Sequence, residues 1–165
     1  MTARLVVIRH AKAGEAPRDI ERPLTDRGLR DARAIGDWLR SIEVTPGRVV
    51  VSPARRARET WREAAGRLSG VPEPVIDDRI YENTVEDLLE IVHETPASVQ
   101  TLALVGHNPS LAALAYELDD GEGDRDATRD LRAGFPTSAT AVFEVTSWAD
   151  AESTARLTAF AAPRG

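Results

Sequence analysis

Cysteine is absent from the 165 residues, which excludes disulfides, thiolate metal sites and a thiol nucleophile. Lysine occurs once, at Lys12, against twenty arginines, a ratio that carries no functional information. Aromatic residues make up only 5%, so the core must rest on Val, Leu, Ile and Ala, which suits strands packed against helices. No apolar run approaches the roughly 20 residues that span a bilayer. Met1 to Ile8 lead into an apolar strand without a basic leader or small-residue cleavage site, so a soluble, cytoplasmic protein is expected. The formal charge of -6 disfavours polyanionic partners, and neither a nucleic acid nor a membrane is expected as one.

What is present fits one domain over residues 1–165, because 42% hydrophobic residues can build a core at this length. β-Branched runs at Arg4 to Ile8, Arg48 to Val51, Pro74 to Ile76, Thr101 to Val105, Ala139 to Val145 and Arg156 to Phe160 predict strands. Between them lie helical stripes. Thr25 caps the first, which carries Leu29, Ala32, Ile35, Trp38, Leu39 and Ile42. Ser52 with Pro53 opens a second, continuing to about Leu68, and Thr84 with Asp87 forms a capping box for a third. Asn108-Pro109 repeats the cap-then-proline start before Leu111, Leu114 and Leu118. The charged stretch from Asp119 to Arg132 reads as an exposed loop. Strands alternating with such helices indicate an α/β fold with a mainly parallel sheet, whose ligands sit beyond the carboxyl ends of the strands.

Three of those ends carry polar groups suited to an anion: Arg9-His10, Ser52 to Arg56, and Gly106-His107. Guanidinium groups grip phosphate oxygens bidentately. A neutral imidazole is a nucleophile, and an imidazolium donates to anions. Helix starts at Pro53 and Pro109 would add free N–H groups and positive dipole ends.

Four blocks in order resemble the histidine phosphatase superfamily, the phosphoglycerate-mutase-like proteins. Leu5-Val-Val-Ile-Arg-His-Ala-Lys-Ala13 is similar to the strand ending in Arg-His, with Ala11 where glycine is usual, as in the small SixA-like phosphohistidine phosphatases. Arg22-Pro-Leu-Thr25 followed by Gly28, Ser52-Pro-Ala-Arg-Arg-Ala-Arg-Glu-Thr60, and Val105-Gly-His-Asn108 resemble the next three. The resemblance implies a three-layer α/β/α fold in which His10 attacks phosphorus and forms a phosphoenzyme that water then hydrolyses. It assigns Arg9, Arg56 and His107 to the phosphoryl oxygens. Arg22 either reaches the site or braces the loop before the first helix. His93, in a last helical turn, is read as structural, and Arg30, Arg55 and Arg58 as solvated or salt-bridged.

Larger members of that family protonate the leaving group with a carboxylate between the third and fourth blocks. Glu82 is the candidate here; the other reading is an exposed loop glutamate. Imidazole, with a pKa of about 6.5, leaves phosphohistidine with far less proton assistance than an alcohol requires. The short interval between Arg56 and His107 also leaves little room for a lid. The expected substrate is therefore a phosphorylated protein, such as a histidine-phosphotransfer domain. The alternatives are a small phosphorylated metabolite with Glu82 as acid, and a non-catalytic phosphate-binding module. No cofactor or metal is expected, since no paired ligand spacing is present.

Overall fold

The apolar runs and helical stripes build a six-stranded sheet between two layers of helices in the computed structural model, which describes residues 2–165. The strands are β1 (Ala3–Arg9), β2 (Arg48–Val51), β3 (Val75–Ile76), β4 (Thr101–Gly106), β5 (Thr140–Val145) and β6 (Arg156–Ala161). The helices are α1 (Asp26–Ser41), α2 (Arg55–Ala65), α3 (Val85–His93), α4 (Ser110–Leu118), α5 (Arg125–Ala133) and the short α6 (Ala151–Thr154). Single 3₁₀ turns lie at Asp19–Glu21 and Asp78–Ile80. In the order β3-β2-β4-β1-β5-β6, the first four strands are mutually parallel and β5 runs against both its neighbours. This is the mainly parallel three-layer arrangement expected from the sequence.

Successive strand side chains face opposite sides. Leu5 and Val7 therefore join Leu102 and Leu104 beneath Leu88, Ile91, Leu111 and Leu114 of α3 and α4. Val6 and Ile8 face Ile35 and Leu39 of α1 and Ala57 and Trp61 of α2. Burial on both faces is why these strands read as unbroken apolar runs.

Thr25 caps α1 as expected, its Oγ1 accepting from Gly28 N at 3.0 Å, and Asp87 accepts from Thr84 N at 3.0 Å to form the acidic half of the capping box. Three local expectations need correction. Ser52 and Pro53 do not start α2, which begins at Arg55 after an uncapped Ala54 and ends at Ala65 rather than Leu68. The Ser52-Pro53-Ala54 segment is instead a turn in which Ser52 Oγ accepts from Ala54 N at 3.1 Å. Helix α4 likewise starts at Ser110, with Pro109 at its N-cap after a cis Asn108–Pro109 peptide. The stretch 119–132 is not wholly a loop: Asp124 caps α5, and Ala127 and Leu131, four residues apart on one face, are buried.

Candidate active site

Register decides which strand ends meet. Arg9 pairs with Gly106 and Val51 with Val105, so β1, β2 and β4 leave the sheet at one height. The next residues of each strand continue the contact: His10 N donates to Gly106 O at 3.0 Å, and Ser52 N to Val105 O at 3.0 Å. The His10 and His107 rings consequently lie side by side, with centroids 5.2 Å apart.

His10 is only 8% exposed. Its Nδ1 lies 2.7 Å from Ala11 O, an acceptor only, so Nδ1 carries the proton and Nε2 keeps a free lone pair. Burial lowers its pKa to about 4, assisted by the charges of Arg56, Arg9 and Arg22, so the ring is neutral at pH 7. Ala11 is fixed in turn by Thr60, whose Oγ1 accepts from Ala11 N at 2.9 Å and donates to Arg56 O at 2.7 Å. The threonine that closes the Ser52 to Thr60 block thus ties the nucleophile's loop to α2.

Arg56, on the first turn of α2, is 6% exposed. Its Nη1 donates to Asp19 O at 2.8 Å and its Nη2 to Asp19 Oδ2 at 3.1 Å. Arg9 Nη1 donates to Phe135 O at 3.2 Å, the carbonyl that also accepts from Asn108 Nδ2 at 2.8 Å. His107 meets Ser52 through Nε2 and Oγ, 2.7 Å apart. Burial, followed by the charges of His10 and Arg56, lowers the pKa of His107 to about 3. Arg9 Nε, Arg56 Nε and His107 Nδ1 are all buried without a hydrogen-bond partner among the described residues. Unpartnered buried donors are costly unless a ligand uses them, and these belong to the groups suited to a phosphoryl group.

The structure thus brings Arg9, His10, Arg56 and His107 together and sorts the remaining candidates. Arg22 braces the loop, its Nε donating to Gly14 O at 2.9 Å and its Nη1 to Asp19 Oδ1 at 3.3 Å. Glu82 lines the cleft but is exposed, with a backbone φ of 52° and no hydrogen bond to a described residue. His93 lies elsewhere, 2.8 Å from Glu152. Arg55 pairs with Glu59, and Arg58 donates to Pro53 O.

Sequence reasoning missed Asp19, Tyr81, Asn83 and the Ser52 contact to His107. Asp19 gathers Arg56, Arg22 and the Tyr81 hydroxyl, the last at 2.6 Å from Oδ2. The Tyr81 hydroxyl bond, followed by those of Arg56 and Arg22, holds its carboxyl at about 2. The Tyr81 ring meets His107 edge-on, with centroids 5.6 Å apart. Asn83 accepts from Ser110 Oγ at 2.6 Å. Asp19, Tyr81 and Asn83, with Arg56 and His107, wall a cleft of about 290 Å³ that also reaches Asn108 and Pro109. Among the described residues no cluster of acids and histidines is arranged to hold a metal ion, and no helix is long and apolar enough to cross a membrane.

An α/β scaffold that places two imidazoles and two guanidinium groups at its strand ends defines a phosphoryl-handling enzyme. The sequence model of the histidine phosphatase superfamily (branch 1) matches residues 5–101, and the chain belongs to that family as a histidine-dependent phosphatase. His107 lies beyond the matched stretch and is brought to it by β4. Phosphohistidine phosphatase SixA of Escherichia coli is 30% identical over 125 residues, covering 70% of this chain and 74% of SixA. The structure of a SixA-type protein from Nakamurella multipartitia superposes with a TM-score of 0.86 at 35% identity, covering 99% of this chain and 97% of that one. The protein histidine phosphatase SixA in complex with tungstate superposes with a TM-score of 0.77 at 25% identity, covering 95% of each chain.

Proposed function

We propose that this phosphatase hydrolyses phosphohistidine on proteins, with His10 as the nucleophile. The Nε2 lone pair of His10 attacks phosphorus, the substrate P–N bond breaks, and its electron pair goes to the departing imidazole. Arg9, Arg56 and an N–H of His107 bind the three peripheral oxygens, whose charge rises in the transition state. Water then attacks phospho-His10. The second P–N bond returns its electrons to Nε2, the water proton passes to solvent, and inorganic phosphate leaves. Ser52 supports the donor role of His107: its fully buried hydroxyl, which accepts from Ala54 N, has Nε2 as the acceptor beside it for its own proton, and that donation leaves the ring's N–H on the unpartnered Nδ1.

The observation that carries the choice of substrate is the state of the carboxyl groups at the cleft. Asp19 is held ionised at about 2, and Glu82 is exposed and unbound, so neither is a positioned proton donor for an alkoxide. The relative named as a phosphohistidine phosphatase and the tungstate-bound SixA structure support the same reading. Purified protein should cleave a phosphohistidine-bearing protein much faster than a phosphoserine peptide or a sugar phosphate. The reverse order, with the phosphoester rate lost in Glu82→Gln, would favour a small-metabolite phosphomonoesterase instead.

A further inference from the structure

We propose that Asp19 and Tyr81 form a leaving-group subsite in which the Asp19 carboxylate accepts a hydrogen bond from the second ring nitrogen of the substrate phosphohistidine. The inference rests on the phosphohistidine reading above and extends it to the half of the substrate that His10 does not touch.

The placement follows from what lines the cleft. His10 is buried at the ends of β1 and β4, whereas the cleft wall is made by Asp19, Arg56, Tyr81 and Glu82, among others. An in-line displacement sends the leaving group away from the nucleophile, here toward that open wall. Asp19 is built as a fixed acceptor. Oδ2 is anchored by Tyr81 at 2.6 Å and by Arg56 at 3.1 Å, while Oδ1 has only the partly exposed Arg22 at 3.3 Å. Its side chain is 53% exposed, so a ligand can reach it. One guanidinium therefore links the carboxylate to the phosphoryl site, since Arg56 bonds Asp19 through both Nη atoms and keeps Nε free.

Chemistry decides what such an acceptor is for. An ionised carboxylate cannot protonate an alkoxide, and it repels the negative charge that develops on a departing ester oxygen. A phosphohistidine ring that enters protonated on its second nitrogen behaves differently. When the P–N bond breaks, the electron pair neutralises the ring, and imidazole leaves with its N–H still in place. No proton has to move during the step. A carboxylate on that N–H holds the cationic form of the substrate and orients its P–N bond along the line of attack. The same contact therefore favours a phosphoramidate and disfavours an alkyl phosphate.

The test compares kcat/KM on a phosphohistidine protein with kcat/KM on p-nitrophenyl phosphate, whose phenolate leaves without a proton, in the wild type and in Asp19→Asn. Asparagine keeps an oxygen for Arg56 or Tyr81 but loses the charge. The expected result is a fall in the phosphohistidine-to-aryl ratio of about tenfold to a hundredfold, the range of a charge-assisted hydrogen bond. Tyr81→Phe, which leaves the carboxylate but loosens it, shifts the ratio the same way and serves if Asp19→Asn fails to fold. An unchanged ratio in both variants, because both activities fall together, means that Asp19 only positions Arg56, and it overturns the subsite. Collapse of the ratio in Glu82→Gln but not in Asp19→Asn overturns it in favour of Glu82. A wild type that cleaves the aryl phosphate but not phosphohistidine defeats the substrate reading and the subsite together. A wild type active on both leaves the substrate reading standing whatever Asp19→Asn does.

Discussion

Replacing Arg56 by lysine keeps the charge and removes the fork. The native side chain is 6% exposed, spends both Nη atoms on Asp19, and holds Nε buried without a partner. A lysine ammonium at the end of a flexible stem reaches either Asp19 or a phosphoryl oxygen, but not both in a fixed plane. Loss of one preorganised donor at developing charge costs about 3–4 kcal/mol, or about 10²–10³ in kcat. The ion pair with Asp19 contributes less to stability, because the Asp19 side chain is half-exposed and solvent screens it; about 1 kcal/mol is the upper expectation. Steady-state kinetics on p-nitrophenyl phosphate, with thermal melts followed by circular dichroism, separate the two effects. Arg55→Lys is the control, since Arg55 is exposed and pairs with Glu59. An Arg56→Lys enzyme within about threefold of wild type, under about 1 kcal/mol in the barrier, would refute the placement of this guanidinium at the transferred group.

The depressed pKa of His10 makes folding pH-dependent. The unfolded ring takes up a proton near 6.5 and the folded one only near 4, so stability is full above about 6.5 and falls as the pH drops toward 4. Urea unfolding should lose about 2 kcal/mol from this ring between pH 7 and 5, and His10→Asn should remove that share of the slope; equal slopes would contradict the burial argument. Ring titration by NMR should place His10 near 4. Helix propensity alone says that Gly36→Ala stabilises α1 by about 1 kcal/mol, but the added Cβ would lie 2.2 Å from Ala64 O of α2. We expect net destabilisation of about 1–2 kcal/mol, a lower Tm, and no such loss in Gly66→Ala, where the nearest contact is an ordinary 3.5 Å. A higher Tm for Gly36→Ala would show that α1 and α2 are less closely packed than described.

Arg9, His10 and His107 were legible because they end or follow buried strands, Arg56 was singled out from its arginine neighbours by the family pattern of the Ser52 to Thr60 block, and parallel register brings the strand ends together. Ser52 shows where local reading stops. A serine before proline looks like a helix cap, and its Oγ does accept a local N–H, but its other partner lies 55 residues away on His107. Asp19 is one of 27 acidic residues in a loop without periodicity, and only the fold sets it against Arg56 and Tyr81. A signal for α5 was present in the Asp124 cap and in Ala127 and Leu131, but the charges around those two apolar positions hid the stripe.

In the proposed mechanism the His10 ring receives the phosphoryl group. Rapid quenching in alkali during turnover, followed by peptide mapping, should find one acid-labile phosphoryl group on the peptide containing His10 and none on that containing His107. Its absence in His10→Asn is also required. Label on His107 alone, or turnover that persists in His10→Asn, would contradict the account.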